Sequence, residues 1–496
     1  MRSDYIGAMT RRLQIPARLL CLLLAGIYSI SLGLAQGGPP DAIRFTLATL
    51  PQKDIWAGLT LGDAKVGYAH TTVSAVGDAR YEIVTESALL LRMLGFEKNI
   101  LFTTRDIVRE DLTLDRFAAE FLMDGNRLSI SGRAAAGKLS VKLNNAGSEV
   151  IRNLEYAGSL YPASATGFHA LVHGIEAGRS YRFKVFNPET LQIGTVEQRV
   201  EAYDPNDRFA GNGYRISIRM EGQDGDLWLD RQGRFLFEST LAGAMTAVPE
   251  NERAAKAYLS AAKQNQQDTV VGVSLVKADR NIPHAGRVGR MAIELEGIDL
   301  PPPSGAGQRC SQQQRVWRCE LDSELRGRGE AATRSHLGSS LTVPTANAAI
   351  QRLALEITEQ TRTHEEALRA ILRWLEVNIR KEAADGFSAL DVLSSRRAEC
   401  QGHTYLYAAL ARASGIPTRV VNGLVYSEDH AGFLYHTWAE SMFGGEWRAV
   451  DPTFGQPVAD ATHIKIVEGE DYSDLAPLVD LIGKVSARIG PYEYRR

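Results

Sequence analysis

Cysteine is scarce in this chain, and neither sign of charge predominates. The 496 residues include 4 cysteines and carry a formal net charge of −3, with a sequence pI near 6.4. This balance gives no reason to expect nucleic acid or an anionic membrane as a partner. No Cys-x-x-Cys pair occurs, so structural zinc is not indicated, and we expect neither a metal nor a cofactor.

The first 35 residues differ from the rest. Arg11, Arg12 and Arg18 precede an apolar run at residues 19–35 that ends in small residues. This order is typical of a secretory signal, so we predict a signal peptide over residues 1–35 and a periplasmic or secreted protein. An uncleaved membrane anchor is the alternative, because the run approaches the length of a membrane span. We expect membrane association only in that case.

Two cysteines have a spacing that suits a disulfide across a β-hairpin. Cys310 and Cys319 enclose eight residues, and their pairing would fit an oxidising compartment. Outside the signal segment, that pairing leaves only Cys400 as a thiol. In a cytosolic protein the two cysteines would instead be unpaired.

Strand-like alternation dominates residues 36–265, which we predict to be an antiparallel β-rich domain. Tyr181, Phe183 and Val185, for example, alternate with polar residues, so one face of the strand is buried. The apolar run 88–96 has no clear period. It is interpreted as a buried strand, with a groove for an acyl chain or peptide as the alternative.

A second β-rich segment, residues 266–345, carries the predicted disulfide, and the period then changes. Apolar residues between positions 368 and 375 recur at helical spacing, and Thr363 with Glu366 forms a capping box before them. A further helix is predicted over residues 346–360.

The most informative stretch begins at Cys400. Apolar residues follow it at helical spacing, namely Leu406, Ala409, Leu410 and Ala413. Cys400 is therefore predicted at the N-terminus of a buried helix. The unpaired backbone N–H groups there favour the thiolate and lower a thiol pKa that starts near ~8.5.

Two predicted strands after this helix carry a histidine and an aspartate. His436 lies in the first strand, and the second ends at Asp451 after a turn at residues 444–445. A hairpin would place the two side by side, so that the aspartate holds one ring nitrogen while the other faces a thiol. Cys400, His436 and Asp451 are therefore the predicted catalytic residues.

Each of these residues has an alternative reading. Cys400 could be a small buried hydrophobic residue, and Asp451 could merely form a turn with the following proline. His403, one turn after Cys400, is the rival to His436, whereas His430 is predicted to be a solvated loop residue.

Residues 346–475 resemble the transglutaminase-like core, a branch of the papain-like fold. The resemblance rests on five pieces in the same order, at residues 389–393, 399–400, 409–420, 436–440 and 447–453, and residues 460–464 also fit bacterial members. It implies an α+β protein in which the β-rich region precedes a papain-like domain, with the cysteine-bearing helix packed on an antiparallel sheet that bears histidine and aspartate. The family's triad falls on Cys400, His436 and Asp451. Residues 476–496 are left as a C-terminal tail.

By this resemblance the protein is a cysteine-dependent acyl-transfer enzyme of the bacterial cell envelope, with a protein or peptide as substrate. Hydrolysis of amide bonds is favoured, because water is the default acceptor and nothing resembles the calcium loop of regulated cross-linking enzymes. A protein-glutamine cross-linking transglutaminase is one alternative. A non-catalytic envelope binding protein is another.

The chain departs from the family pattern next to the cysteine. Ala398 stands where the family usually has glycine, and Gln401-Gly402 replaces a more usual polar or acidic pair. The resemblance makes the backbone N–H of Cys400 one oxyanion donor, and both departures lie against that position. The sequence assigns no second donor.

Overall fold

This computed structural model describes most of the chain beyond the predicted signal segment. The described residues are 43–93, 96–123, 126–145, 148–201, 213–220, 223–240, 243–257, 275–298, 301–327, 331–382, 388–470, 474, 478, 481 and 484–495. The predicted signal peptide, residues 1–35, lies outside them. In the described ranges no helix is both long enough and apolar enough to cross a bilayer.

Fifteen strands form one large sheet in the N-terminal half. In chain order they are β1 (Asp54–Leu61), β2 (Ala64–Gly77), β3 (Arg80–Met93), β4 (Phe96–Arg109), β5 (Leu114–Met123), β6 (Asn126–Ala135), β7 (Lys138–Asn145), β8 (Ser148–Glu155), β9 (Leu160–Pro162), β10 (Ser180–Asn187), β11 (Gln192–Val200), β12 (Gly213–Met220), β13 (Gln223–Asp230), β14 (Phe235–Thr240) and β15 (Met245–Pro249). Their spatial order is β8 to β1, then β15 to β9, so two antiparallel meanders join where β1 pairs with β15. Only β9 and β10 pair in parallel.

Smaller sheets follow. They use β16 (Val276–Lys277), β17 (Val288–Glu296), β18 (Gln308–Gln313), β19 (Val316–Asp322), β20 (Arg380–Lys381), β21 (Arg397–Ala398), β22 (Thr418–Ser427), β23 (Gly432–Phe443), β24 (Glu446–Val450), β25 (Ile464–Glu468) and β26 (Ser486–Tyr494). One sheet has the order β16-β23-β22-β25, with β24 also on β23, and another has the order β18-β19-β17-β26. The short strands β20 and β21 pair in parallel.

Six described helices complete the fold. They are α1 (Thr166–His173), α2 (Glu252–Lys256), α3 (Ala348–Thr358), α4 (His364–Asn378), α5 (Ala389–Ser395) and α6 (Cys400–Ala413). Thr363 caps α4 by accepting a hydrogen bond from the Glu366 backbone, but the Glu366 carboxylate accepts from the backbone N–H of Arg362 rather than of Thr363, so only half of the predicted capping box forms. Because α6 is buried from Gly402 to Arg412, it forms the centre of the C-terminal core.

The large sheet curves around its own hydrophobic core. Buried residues of α1 pack with inward residues from both meanders, including Ile83 of β3 and Val196 of β11. Phe117 of β5 contacts Phe186 of β10, with ring centroids 4.7 Å apart, so strands far apart in the sheet order meet across the interior. The curvature lets inward residues of both meanders form one buried core with α1.

One end of the large sheet contacts the helical region. The Asn145 side chain of β7 donates a hydrogen bond of 3.3 Å to the buried carboxylate of Asp391 in α5. Leu341 packs into the same core as Leu139 and Val141 of β7. Since α5 immediately precedes Cys400, the β-rich region touches the element that leads to the cysteine.

The predicted α+β class is confirmed. A large antiparallel sheet comes first, and helices with a second antiparallel sheet follow. The run 88–96 belongs to two strands rather than to one, because β3 ends at Met93 and β4 begins at Phe96. Ala88 and Leu90 are buried, and the side chains of residues 91–98 are outside the described part of the chain. The segment assigned to a C-terminal tail supplies β26, which pairs with β17 because its alternate residues complete that core.

The predicted disulfide joins Cys310 and Cys319, which face each other on β18 and β19. We expect the double substitution of both cysteines by alanine to destabilise the β17–β19 sheet by about 2–3 kcal/mol, because a closed loop of about ten residues loses its cross-link. Denaturant unfolding with and without a reductant measures this difference. An unchanged midpoint in both comparisons would show that the sheet does not depend on the bond.

Candidate active site

Two hydrogen bonds hold the cysteine-bearing helix on the central strand. The hydroxyl of Thr404 donates to the backbone oxygen of Thr437 at 3.0 Å, and the hydroxyls of Tyr407 and Ser441 lie 2.9 Å apart. All four groups are buried. These bonds therefore fix the position of α6 along β23 and its orientation about the helix axis.

This anchoring determines where Cys400 lies. Cys400, Thr404 and Tyr407 are spaced i, i+4 and i+7, so they share one face of α6. Since Thr404 bonds to Thr437 and the later Tyr407 to the later Ser441, α6 runs in the same direction as β23. The Cys400 end of α6 therefore points toward the part of β23 that precedes Thr437, which includes His436. Cys400 is the first residue of α6, where backbone N–H groups lack helical acceptors and favour a thiolate.

The structure brings His436 and Asp451 together. Nε2 of His436 lies 2.9 Å from Oδ2 of Asp451, and both side chains are buried. The hairpin of β23 and β24 creates this contact, since Asp451 directly follows β24. Because Asp451 occupies Nε2, the remaining nitrogen, Nδ1, is the atom of His436 that can exchange a proton with a thiol.

The Asp451 carboxylate accepts four hydrogen bonds. Oδ1 accepts from the backbone N–H groups of Thr453 at 2.7 Å and Phe454 at 3.1 Å, while Oδ2 faces His436 and also Nε2 of His463 at 3.0 Å. Burial alone would raise the pKa of Asp451, but the charges and hydrogen bonds of His436 and His463 outweigh it and hold the pKa far below its usual range. Asp451 forms the predicted turn and also binds the histidine, so the two readings are compatible.

His463 was missed as a site residue by the sequence reasoning. It lies just before β25, and its other nitrogen, Nδ1, is 3.1 Å from the backbone oxygen of Asp460. Burial would lower the pKa of His463, but Asp460 and Asp451 together raise it to about 10. The only signal in the sequence was its place in residues 460–464, which fit the family without an assigned role.

Aromatic rings stack with the His436 imidazole. The Phe454 ring lies 5.0 Å away and is nearly parallel, and Trp438 stacks at 6.2 Å. Phe454 is 48% exposed although it is large and apolar, and the ammonium group of Lys381 lies 6.0 Å from its ring centre. Phe454 therefore presents an apolar surface to solvent beside His436.

The other two histidines named from the sequence do not contact Asp451. His403 is buried, and its Nδ1 lies 2.9 Å from the backbone oxygen of Glu399, while burial lowers its pKa. Nδ1 of His430 lies 3.0 Å from the Ser427 hydroxyl in a turn. Of the three, only His436 is held by the aspartate.

Two groups of histidines have features that suit a metal. Candidate ligand atoms of His436, Asp451 and His463 lie within 4.8 Å of one another, but each already takes part in the hydrogen bonds described above. His169 and His173 on α1 have the His-x-x-x-His spacing, which the sequence reasoning overlooked. Their rings stack on each other at 4.1 Å, and His169 also stacks on Phe183, so these two residues form part of an aromatic core.

A buried charge cluster ties together the strands that carry the site. Glu440 of β23 accepts a hydrogen bond of 2.7 Å from Arg419 of β22 and two of 3.2 Å from Lys465 of β25. Glu468 adds a second carboxylate, which lies 3.1 Å from Arg419 and also pairs with Lys465, so two carboxylates compensate the two cations, as buried charges require. The cluster fixes β22, β23 and β25 relative to one another and so supports His436 and His463.

The two departures from the family pattern compensate each other sterically. A Cβ atom at Gly402 would lie 2.8 Å from the Cβ of Ala398 and 2.9 Å from Cγ2 of Val392. The methyl group that replaces the usual glycine at position 398 thus occupies the space left by the missing side chain at position 402.

We expect Gly402→Ala to lower the free energy of unfolding by about 1–2 kcal/mol, because the overpacking outweighs the better helix propensity of alanine. Adding Ala398→Gly should restore the part of that loss that comes from the contact with Ala398, while the contact with Val392 remains. A double-mutant cycle by denaturant unfolding tests the coupling. Additive effects of the two substitutions would show that positions 398 and 402 do not share this space.

The Asp451–His463–Asp460 cluster should make stability depend on pH. A raised pKa of His463 adds stability that is fully present below its unfolded pKa of about 6.5 and is lost as pH rises toward about 10. We therefore expect the free energy of unfolding to fall more steeply between pH 7 and 10 in the wild type than in His463→Gln. Urea titrations across this range measure both slopes, and equal slopes would contradict the assignment.

Comparisons with known proteins agree with this architecture. The model of the transglutaminase-like superfamily matches residues 351–452. An uncharacterised protein of Mycobacterium leprae is 33% identical over 97 residues, which cover 18% of this chain and 34% of that protein. The kyphoscoliosis peptidases of Mus musculus and Homo sapiens are 25% identical over 144 and 131 residues, which cover 26% and 23% of this chain. Those alignments span 22% and 20% of the peptidases, so the chain covers at most about a third of these relatives.

Solved structures give more distant likenesses. A candidate cysteine protease from Cytophaga hutchinsonii is 17% identical with a TM-score of 0.27, over 42% of this chain and 86% of that one. A β-barrel-like protein from Brucella abortus is 14% identical with a TM-score of 0.30, over 40% of this chain and 95% of that one. The family match falls on the helices and strands that carry Cys400 and His436. The C-terminal part of this chain, residues 351–452, is therefore a domain of the transglutaminase-like superfamily.

Proposed function

We propose that the C-terminal domain is a thiol-dependent acyl-transfer enzyme that hydrolyses amide bonds of a protein or peptide. Cys400 is the nucleophile, His436 the general acid and base, and Asp451 the group that orients His436. The observation that carries the proposal is the buried 2.9 Å contact between His436 and Asp451, and it is supported by the position of Cys400 as the first residue of the helix that packs on the strand of His436.

The chemistry follows from these positions. Nδ1 of His436 takes the proton of Cys400, and the thiolate attacks the amide carbonyl carbon. As the carbon–nitrogen bond breaks, the imidazolium gives its proton to the leaving amine, and an acyl-thioester remains. His436 then removes a proton from water, which attacks the thioester carbonyl. The products are an amine and a carboxylic acid, and the thiol is regenerated.

The acceptor decides between hydrolysis and cross-linking. Water and a lysine amine can attack the same thioester with the help of the same histidine, so the triad supports both outcomes. Hydrolysis is favoured because the mouse and human relatives are peptidases. A non-catalytic binding domain is less favoured, because it would have no use for an aspartate that accepts four hydrogen bonds in order to hold a histidine.

Export of the protein is part of the proposal. The disulfide between Cys310 and Cys319 suits an oxidising compartment, and the apolar run at residues 19–35 suits a signal peptide. Together they favour a periplasmic or secreted enzyme. In such a compartment the thiol of Cys400 can remain reduced only if no partner thiol is within reach.

We expect iodoacetamide to alkylate Cys400 rapidly well below pH ~8.5, because the helix terminus and a protonated His436 stabilise the thiolate. The pseudo-first-order rate, followed by intact mass and peptide mapping, should lose this low-pH component in His436→Ala and retain it in His430→Gln. Cys400→Ser identifies the labelled residue. Labelling that rises only near ~8.5 in the wild type would overturn the proposal.

Hydrolysis and transfer are separated with one substrate mixture. We expect peptide fragments with new carboxyl termini when casein is incubated with the enzyme and a fluorescent primary amine, and no fragments with Cys400→Ser. Mass spectrometry of the casein distinguishes cleavage from amine incorporation at glutamine. Incorporation without cleavage would replace hydrolysis by cross-linking.

A further inference from the structure

Both ring nitrogens of His463 face oxygen atoms that can only accept hydrogen bonds. Nε2 lies 3.0 Å from Oδ2 of Asp451, and Nδ1 lies 3.1 Å from the backbone oxygen of Asp460 and 3.4 Å from its carboxylate. A carbonyl oxygen and an ionised carboxylate have no proton to donate. Each nitrogen must therefore carry its own hydrogen, and the ring is a cation.

The surroundings keep Asp460 ionised and in place. Its Oδ1 accepts from the Thr462 backbone at 2.9 Å and from the Thr462 hydroxyl, and its Oδ2 accepts from the Gln456 side chain at 2.8 Å. Gln456 in turn pairs its backbone with that of Asp451. The segment from Asp451 to His463 is thus closed on itself by hydrogen bonds around two carboxylates and one imidazole.

We propose that His463 is a positioning residue, a protonated imidazole that holds the Asp451 carboxylate toward His436 and neutralises part of its charge. The proposal rests on the proposed function of Cys400, His436 and Asp451. Charges alternate along the row Asp460, His463, Asp451 and His436. If Asp451 faced His436 alone, its full negative charge would stabilise the imidazolium form of His436 and slow the release of the catalytic proton. A carboxylate that is shared with His463 stabilises the imidazolium form less.

Other charged groups near this row leave the assignment intact. Lys381 lies at the outer side of the Phe454 ring, 6.0 Å from its centre, and Lys465 beside His463 is compensated by Glu440. The His436 and His463 rings are 5.6 Å apart and contact the same carboxylate oxygen. Among the described residues, His436 and His463 are thus the two side chains whose ring nitrogens contact the Asp451 carboxylate.

The effect of His463 should be visible in the pH profile of Cys400 alkylation. The upper inflection of that profile reports the pH at which the thiolate–imidazolium pair loses its proton. His463→Gln keeps a hydrogen-bond donor but removes the charge, so this inflection should move upward by about one pH unit. His463→Lys keeps the charge and should leave the inflection near its wild-type value. A purely structural role would not separate these two variants.

The protonation state of His463 is measured separately in the wild-type protein. With histidine labelled by ¹³C at Cε1, the signal that disappears in His463→Gln should stay at the imidazolium position from pH 6 to 9. This measurement is made on the wild-type protein and does not require activity. His463→Gln serves only to assign the signal, and His430→Gln is its matched control. A signal that titrates below pH 7 would overturn the proposal.

The remaining outcomes are also decisive. A wild-type Cys400 that labels as an ordinary thiol overturns the proposed function, and the positioning role with it. The wild type could show a low-pH thiolate while the alkylation profiles of His463→Gln and His463→Lys have the same upper inflection. That result would overturn only the role of His463. Stoichiometric binding of added Zn²⁺ that shifts the His436 and His463 signals together would instead make the row a metal site.

Discussion

A fully buried carboxylate, that of Asp451, constrains the arrangement of the whole C-terminal domain. An ionised group without exposure to water is stable only if hydrogen-bond donors surround it. The donors come from three separate parts of the chain: His436 on β23, the turn that includes Phe454, and His463 before β25. The sheet order β23-β22-β25 and the hairpin to β24 are the arrangement that lets all three reach one side chain.

The position of α6 depends on a second constraint, which is tight packing. Nearly every residue of this helix is buried, so its polar side chains must bond within the core, as Thr404 and Tyr407 do on β23. Because Gly402 has no side chain, the methyl group of Ala398 and the side chain of Val392 in α5 can pack against the first turn of α6. The same contacts that bury the helix also hold it on β23, the strand that carries His436.

The large N-terminal sheet is linked physically to this site. Asn145 at the end of β7 binds Asp391 of α5, and Asp391 also accepts a hydrogen bond from the backbone of Ser388. Because only a few residues separate α5 from Cys400, a displacement of β7 would also displace the start of α6. The curved sheet thus belongs to the framework around the candidate active site.

The sequence by itself determined the class of the fold, the helix that begins at Cys400 and the approach of His436 to Asp451. These features follow from local periodicity, from short turns and from the order of the family's motifs, which require no knowledge of distant contacts. Only the tertiary structure decided that His463 shares Asp451, that Phe454 stacks on His436 and that β26 completes the disulfide-bearing sheet. Such contacts join residues through packing and hydrogen bonds across separate elements, and no spacing along the chain encodes them.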